Sequence, residues 1–164
     1  MLESQRWPAA VFHGLARASL IPAQHREPYI ELLSGKRGLE VGGPSAIFKP
    51  WGAILLYPVV AGLDGCNFAG QTVWEGTIRS GVSYEFLAGR KGFQFILEAT
   101  NLAGIPAGAY DFVLSSHCLE HVANPLRALR ADLARIGAFA FSGTLPSSAG
   151  AGSEVYGACV QEFR

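Results

Sequence analysis

The sequence predicts an α/β protein: a mostly parallel, doubly wound sheet with helices on both faces. Three observations carry this. Phe112-Val113-Leu114 is continuously apolar, as a strand covered by helices on both sides requires. Leu119, Val122, Leu126, Leu129, Leu133 and Ile136 recur at spacings of three and four, which marks a helix with one apolar face. Short glycine-rich junctions, Gly42-Gly43-Pro44 above all, separate such segments, as alternating strands and helices demand.

Taken in order, residues 1–35 read as a helical lead-in. Val11, Phe12, Leu15 and Leu20 follow helical spacing until Pro22 ends the pattern. A second short helix is expected over 28–33, with Pro28 in the first turn and Gly35 at the C-terminal cap. A strand over Gly38 to Val41 then runs into Gly42-Gly43-Pro44. Further strands are expected at the apolar runs Ala53 to Tyr57, Phe93 to Leu97 and Phe112 to Leu114. The helix from Leu119 to Ile136 follows, kinked or split at Pro125. One more strand is expected over Ala138 to Leu145. The core is thus 36–145, and 146–164 is a flexible Gly/Ala/Ser-rich tail.

Composition narrows the function. The chain has 164 residues, 49% of them apolar and 16% charged, with a mean hydropathy of +0.23, which excludes intrinsic disorder. Lys+Arg and Asp+Glu are equal at 13 each, so there is no basic field to hold a nucleic acid. The longest apolar stretch, Ile54 to Leu63, is broken by Pro58 and Gly62 and falls short of the roughly 20 residues of a membrane span. Cys66, Cys118 and Cys159 are widely spaced and form no Cys-x-x-Cys, which suits a reducing, cytoplasmic setting.

Chemistry is expected outside the carboxyl ends of the strands. Glu40 precedes the glycine bend, where a main chain without a Cβ wall can approach a ligand and a carboxylate can accept a cationic amine. The pattern is not G-x-G-x-x-G, which disfavours a pyrophosphate-binding loop. Asp64 lies 24 residues after Glu40 between glycines, where ribose hydroxyls are commonly held and where a plain turn is equally at home. The segment Tyr110-Asp111-Phe112-Val113-Leu114-Ser115-Ser116-His117-Cys118-Leu119-Glu120-His121 delivers polar residues to the end of a buried strand. Trp51, Tyr57, Phe68, Trp74, Tyr84 and Phe86 read as core packing under long loops.

Leu39-Glu40-Val41-Gly42-Gly43-Pro44-Ser45, followed some seventy residues later by the Tyr110–His121 block, resembles the class I, Rossmann-like S-adenosylmethionine-dependent methyltransferases. The likeness spans roughly 29–136 and is to the branch whose first motif is Leu-Glu-x-Gly-Gly-Pro-Ser. It implies an enzyme that takes S-adenosylmethionine as cofactor and methylates a small-molecule acceptor. By that likeness Glu40, Gly42, Gly43 and Pro44 face the methionine end of the cofactor and Asp64 binds the ribose. Glu98 and Ala99 border the adenine, and Ser115 and Ser116 line the methyl-donor edge. His117 and His121 are the candidate bases, since neutral imidazole takes a proton near neutral pH.

Two departures stand out: Pro44-Ser45 replaces the usual third glycine, and the residues after Ile136 are too few for the family's remaining strands. The sequence therefore implies a truncated or aberrant C-terminus, as a shifted reading frame would give. Such a chain could be a non-catalytic cofactor-binding remnant or interaction module. It would also leave Phe112–Leu114 or Ala138–Leu145 as an uncovered edge for a homodimer. A third reading is a zinc metallopeptidase, because His117-x-x-Glu120-His121 on a helix would place both histidines on one face. No metal site is otherwise expected.

Overall fold

A computed structural model of the chain describes residues 27–52, 54–72, 76–133, 136–145 and 155–162. Helix α1 (Glu27–Leu33) is followed by strands β1 (Arg37–Val41), β2 (Gly62–Asn67), β3 (Gln71–Thr72), β4 (Gly76–Thr77), β5 (Gly81–Leu87), β6 (Arg90–Ile96) and β7 (Tyr110–Ser116). Helix α2 (Pro125–Leu133) and strands β8 (Ile136–Leu145) and β9 (Val155–Glu162) complete the described elements. The main sheet has seven strands in the order β5-β6-β2-β1-β7-β8-β9, and β3 and β4 form a separate hairpin. β6, β2, β1, β7 and β8 run parallel, while β5 and β9 pair antiparallel at the two edges.

Both faces of the central strands β1, β2 and β7 are buried. One face packs Leu63, Phe112 and Leu114 with Leu33 of α1 and with Tyr84 and Phe86 of β5. The other packs Leu39, Val41, Cys66 and Val113 with Ala128 of α2 and with Leu102 and Ile105. The helices thus lie on opposite faces, which is the doubly wound α/β arrangement expected from the continuous apolar run of β7. No helix among the described residues is long and apolar enough to cross a membrane.

α1 and its cap agree with the sequence. Gly35 adopts φ +71°, and the Ser34 amide donates to the Ile30 carbonyl at 2.9 Å. The predicted helix over 119–136 instead starts at Pro125. Leu119–His121 is a single 3-10 turn, and Asn124 caps α2 by accepting from the Arg127 amide at 3.0 Å. Proline suits a first helical position because its missing N–H needs no partner there. The lead-in over 1–26 lies outside the described residues.

Three expectations are corrected. Ile54 to Tyr57 is a buried loop rather than a strand: its apolar side chains fill the core, while its amides are satisfied by turn contacts such as Tyr57 to the Phe48 carbonyl at 3.0 Å. The second strand is Gly62–Asn67, which the sequence suggests to be a turn around Asp64. Gly65 serves packing, since a Cβ there would overlap the ring of Tyr84. Finally, Phe112–Leu114 and Ala138–Leu145 are not free edges: β7 lies between β1 and β8, and β8 is covered by β9 over Ala138↔Glu162 to Leu145↔Val155. Part of the supposed flexible tail is therefore a sheet strand, and the rest lies outside the described residues.

Candidate functional site

The parallel strands bring three chain segments to one edge. Val41 is in register with Cys66 on one side and with Ser115 on the other, so the ends of β2, β1 and β7 are level. β6 ends beside β2, with Asn67 opposite Ile96, and the Leu97 amide donates to the Asn67 carbonyl at 3.0 Å. Gly42, Gly43, Pro44, Glu98, Ala99, Ser115, Ser116 and His117 therefore share the carboxyl edge of the sheet.

The glycine bend is held from several directions. Gly42 has φ +83°, a conformation that favours glycine, and its amide donates to the Cys66 carbonyl at 2.9 Å. A Cβ at Gly42 would lie 2.9 Å from the Cβ of Cys118, so the bend also packs closely on the chain after β7. The Gly43–Pro44 peptide is cis. The Gly43 carbonyl accepts from Asn67 Nδ2 at 3.0 Å.

Glu40 sits beneath this bend and is fully buried. Its Oε1 accepts from the Ser45 amide at 3.0 Å, and its Oε2 accepts from the hydroxyls of Tyr57 at 2.6 Å and Tyr84 at 2.5 Å. The Tyr57 oxygen in turn accepts from the Ser45 amide at 2.6 Å. Burial pushes the Glu40 carboxyl above its ordinary value, against the opposing pull of the Ser45, Tyr57 and Tyr84 donors. Burial and the neighbouring Glu40 raise both phenols. The sequence reading has Glu40 present its carboxylate to an ammonium; in the structure both oxygens already accept from the Ser45 amide and the two phenols, and so hold the loop.

A pH dependence follows from the sign of that shift. Between the ordinary carboxylate value near 4.5 and the raised value of Glu40, the folded chain keeps a proton that the unfolded chain has lost. Glu40's contribution to stability is therefore full at low pH and is lost as pH rises through the raised value. Urea denaturation from about pH 4 to 8 should show this decline in the wild type, and Glu40→Gln should lack it.

Asp64 is placed away from the carboxyl edge. It lies three residues before the end of β2, about 10 Å along the strand. Its Oδ2 accepts from Arg37 Nη2 at 2.9 Å and from the Tyr110 hydroxyl at 2.7 Å, and its Oδ1 from the Phe93 amide at 2.7 Å. Arg37 and Tyr110 are the first residues of β1 and β7, so this carboxylate ties the starting ends of three neighbouring strands to β6. Burial and Asp64 together raise the Tyr110 phenol. No ribose can share those oxygens without displacing these partners.

The residue that β2 does deliver to the edge is Asn67, which is buried and whose Oδ1 has no hydrogen-bond partner. Ser115 Oγ, at the end of β7, is likewise buried and unpartnered. The sequence does not point to Asn67, because Gly62 and Gly65 make the strand that ends on it read as a turn. A polar residue closing a strand was the available signal.

His117 is exposed, with φ +51°, and its Nδ1 lies 3.3 Å from Glu120 Oε1. His121 is exposed on the 3-10 turn. The metallopeptidase reading needs His117 and His121 on one face of an α-helix, and that helix is absent. Among the described residues no group of three His, Cys, Asp or Glu could hold a metal ion.

No protein-family profile and no curated protein matches the chain. Solved structures do. A SAM-dependent methyltransferase from Aquifex aeolicus superposes over 90% of this chain and 79% of its own, with a TM-score of 0.53 at 14% identity. An S-adenosylmethionine-dependent methyltransferase from Mesorhizobium loti matches 73% of this chain with a TM-score of 0.47 at 16% identity. The chain spans 52% of that protein's length. The mostly parallel sheet and the likeness to the Aquifex aeolicus protein agree: the chain has a class I methyltransferase-like α/β fold.

Proposed function

We propose that the chain binds S-adenosylmethionine across the carboxyl edge of its sheet and transfers the methyl group to a small-molecule acceptor. The observation that carries this is the pair of buried polar atoms without partners, Asn67 Oδ1 and Ser115 Oγ, at the strand ends beside the Gly42-Gly43 bend. The donor and acceptor set fits a zwitterionic nucleoside. Asn67 Oδ1 would accept from a hydroxyl or ammonium, and Ser115 Oγ would donate or accept. Glu98 and Ala99, which follow β6 at the same edge, would flank the base.

When bound, the cofactor supplies an electrophilic methyl on a sulfonium. The protein's contribution is chiefly positioning, which can account for about 7–11 kcal/mol of a barrier between two reactants. His117, exposed at this edge with Glu120 beside it, would take a proton from a hydroxyl or amine acceptor, and His121 is the next such group along the chain. The absence of a net basic charge suits a small neutral acceptor better than a polyanion.

Calorimetric titration with S-adenosylmethionine and S-adenosylhomocysteine tests this reading. Both should bind the wild type, and Asn67→Leu should weaken binding about tenfold or more, the loss of one good buried hydrogen bond. Absence of binding to the wild type would contradict the reading. Binding of both, with no methyl transfer to any acceptor, would instead favour a non-catalytic binder.

A further inference from the structure

The groups around Glu40 come from three separate parts of the chain. Glu40 belongs to β1, Tyr57 to the buried loop after the 3-10 turn Ala46–Phe48, and Tyr84 to the antiparallel hairpin β5–β6 at the far edge of the sheet. Tyr84 reaches Glu40 by crossing β2, and it does so over Gly65, where a Cβ would overlap its ring. Its hydroxyl then lies beneath the glycine bend, since a Cβ at Gly43 would overlap both that hydroxyl and the Glu40 carboxyl. Two glycines thus leave room for one phenol.

The hairpin grips the Tyr57 loop independently. Arg90, the first residue of β6, donates to the carbonyls of Tyr57 at 3.0 Å, Val60 at 2.7 Å and Ala61 at 2.9 Å. Its guanidinium lies 5.0 Å from the centroid of Phe86, whose ring meets Tyr57 edge-on at 5.7 Å and stacks on Tyr84 at 6.4 Å. Phenylalanine at 57 and 84 would satisfy this packing equally well. Among the described residues the hydroxyls serve Glu40, the Ser45 amide and each other.

We propose that Tyr84 and Tyr57 are positioning residues: Tyr84 through Glu40, and Tyr57 both through Glu40 and by its own contact, fix the Ser45 amide and with it the Gly42–Ser45 main chain, so that the β5–β6 hairpin sets the shape of the ligand-facing loop. The consequence for cofactor affinity rests on the function proposed above; the loop geometry does not.

Site-resolved amide exchange in the ligand-free, full-length protein tests this, together with titration of S-adenosylhomocysteine. Tyr84→Phe and Tyr57→Phe keep the rings and remove only the hydroxyls. Tyr110→Phe is the matched control, because it removes a phenol from the Asp64 carboxylate at the opposite end of the same sheet. Exchange of the Ser45 amide relative to the β1 core amides should rise about tenfold or more in Tyr84→Phe and in Tyr57→Phe, and stay at the wild-type ratio in Tyr110→Phe. Affinity for S-adenosylhomocysteine should fall about fivefold or more in the first two variants and hold in the control. An unchanged Ser45 ratio in Tyr84→Phe, or an equal rise in Tyr110→Phe, would overturn the proposal, the latter by showing a general loss of stability. If the wild type binds no S-adenosylhomocysteine, the cofactor reading fails on its own, and the Ser45 ratio still decides the positioning role.

Discussion

Asp64→Ala is expected to destabilise the fold by about 2–4 kcal/mol while leaving the ligand affinity of the folded molecule unchanged. The Asp64 side chain is 6% exposed, and its removal leaves the buried Tyr110 hydroxyl and the half-buried Phe93 amide without their acceptor. Each buried donor left unpaired costs about 1–3 kcal/mol. The Arg37 side chain is 62% exposed, so its share of the ion pair adds little once solvent screening is counted. Against a total stability of about 5–15 kcal/mol, the loss is large enough to lower the melting temperature by many degrees. Equilibrium denaturation paired with calorimetry separates this account from a ribose-binding role. A ribose ligand at Asp64 would show the opposite pattern, with affinity lost and stability kept.

The second large effect is expected from Glu40→Ala, which should lower both quantities. It removes the acceptor shared by Tyr57, Tyr84 and the Ser45 amide, leaving two buried hydroxyls without their acceptor. Relief of the buried carboxyl's own desolvation offsets part of that cost, so the net destabilisation should be about 1–3 kcal/mol. Affinity for S-adenosylmethionine should fall further than stability does, by about tenfold or more, because the Gly42–Ser45 main chain loses its support from beneath. Chemical denaturation and calorimetric titration of the same samples check both. An affinity equal to wild type would remove Glu40 from the account of the site.

The carboxyl edge was legible in the sequence to the extent that its signals are local. Gly42-Gly43-Pro44 after a short strand, and Ser115-Ser116-His117 after Phe112-Val113-Leu114, each announce a strand end within a few residues. What pairs with what across the sheet was not local. β2 carries Gly62 and Gly65 and reads as a turn, yet Gly65 is glycine because an aromatic ring nineteen residues later lies across it. Ile54 to Tyr57 has the composition of a strand and forms none, because burial demands apolar side chains whether or not the backbone joins a ladder.

These two misplacements had a direct cost at the site. A second strand expected at Ala53 to Tyr57 puts Asp64 at a strand's carboxyl end, whereas β2 carries Asp64 in its first half and ends on Asn67. The tyrosines around Glu40 were read as packing, which their rings are. Their hydroxyls acquire a purpose only once β5 is seen to return beside β6, and the alternation of Tyr84 and Phe86 with exposed Ser83 and Glu85 was the trace of that strand.

Backbone amide NMR during titration with S-adenosylhomocysteine bears most directly on where the ligand sits. Shifts should concentrate at Gly42, Gly43, Ser45, Asn67, Phe68, Glu98, Ala99, Ser115, Ser116 and His117, with Arg37, Asp64, Tyr110 and Asp111 left in place. Saturable shifts at those latter four, or none anywhere in the spectrum, would contradict a nucleoside bound over the ends of β1, β2 and β7.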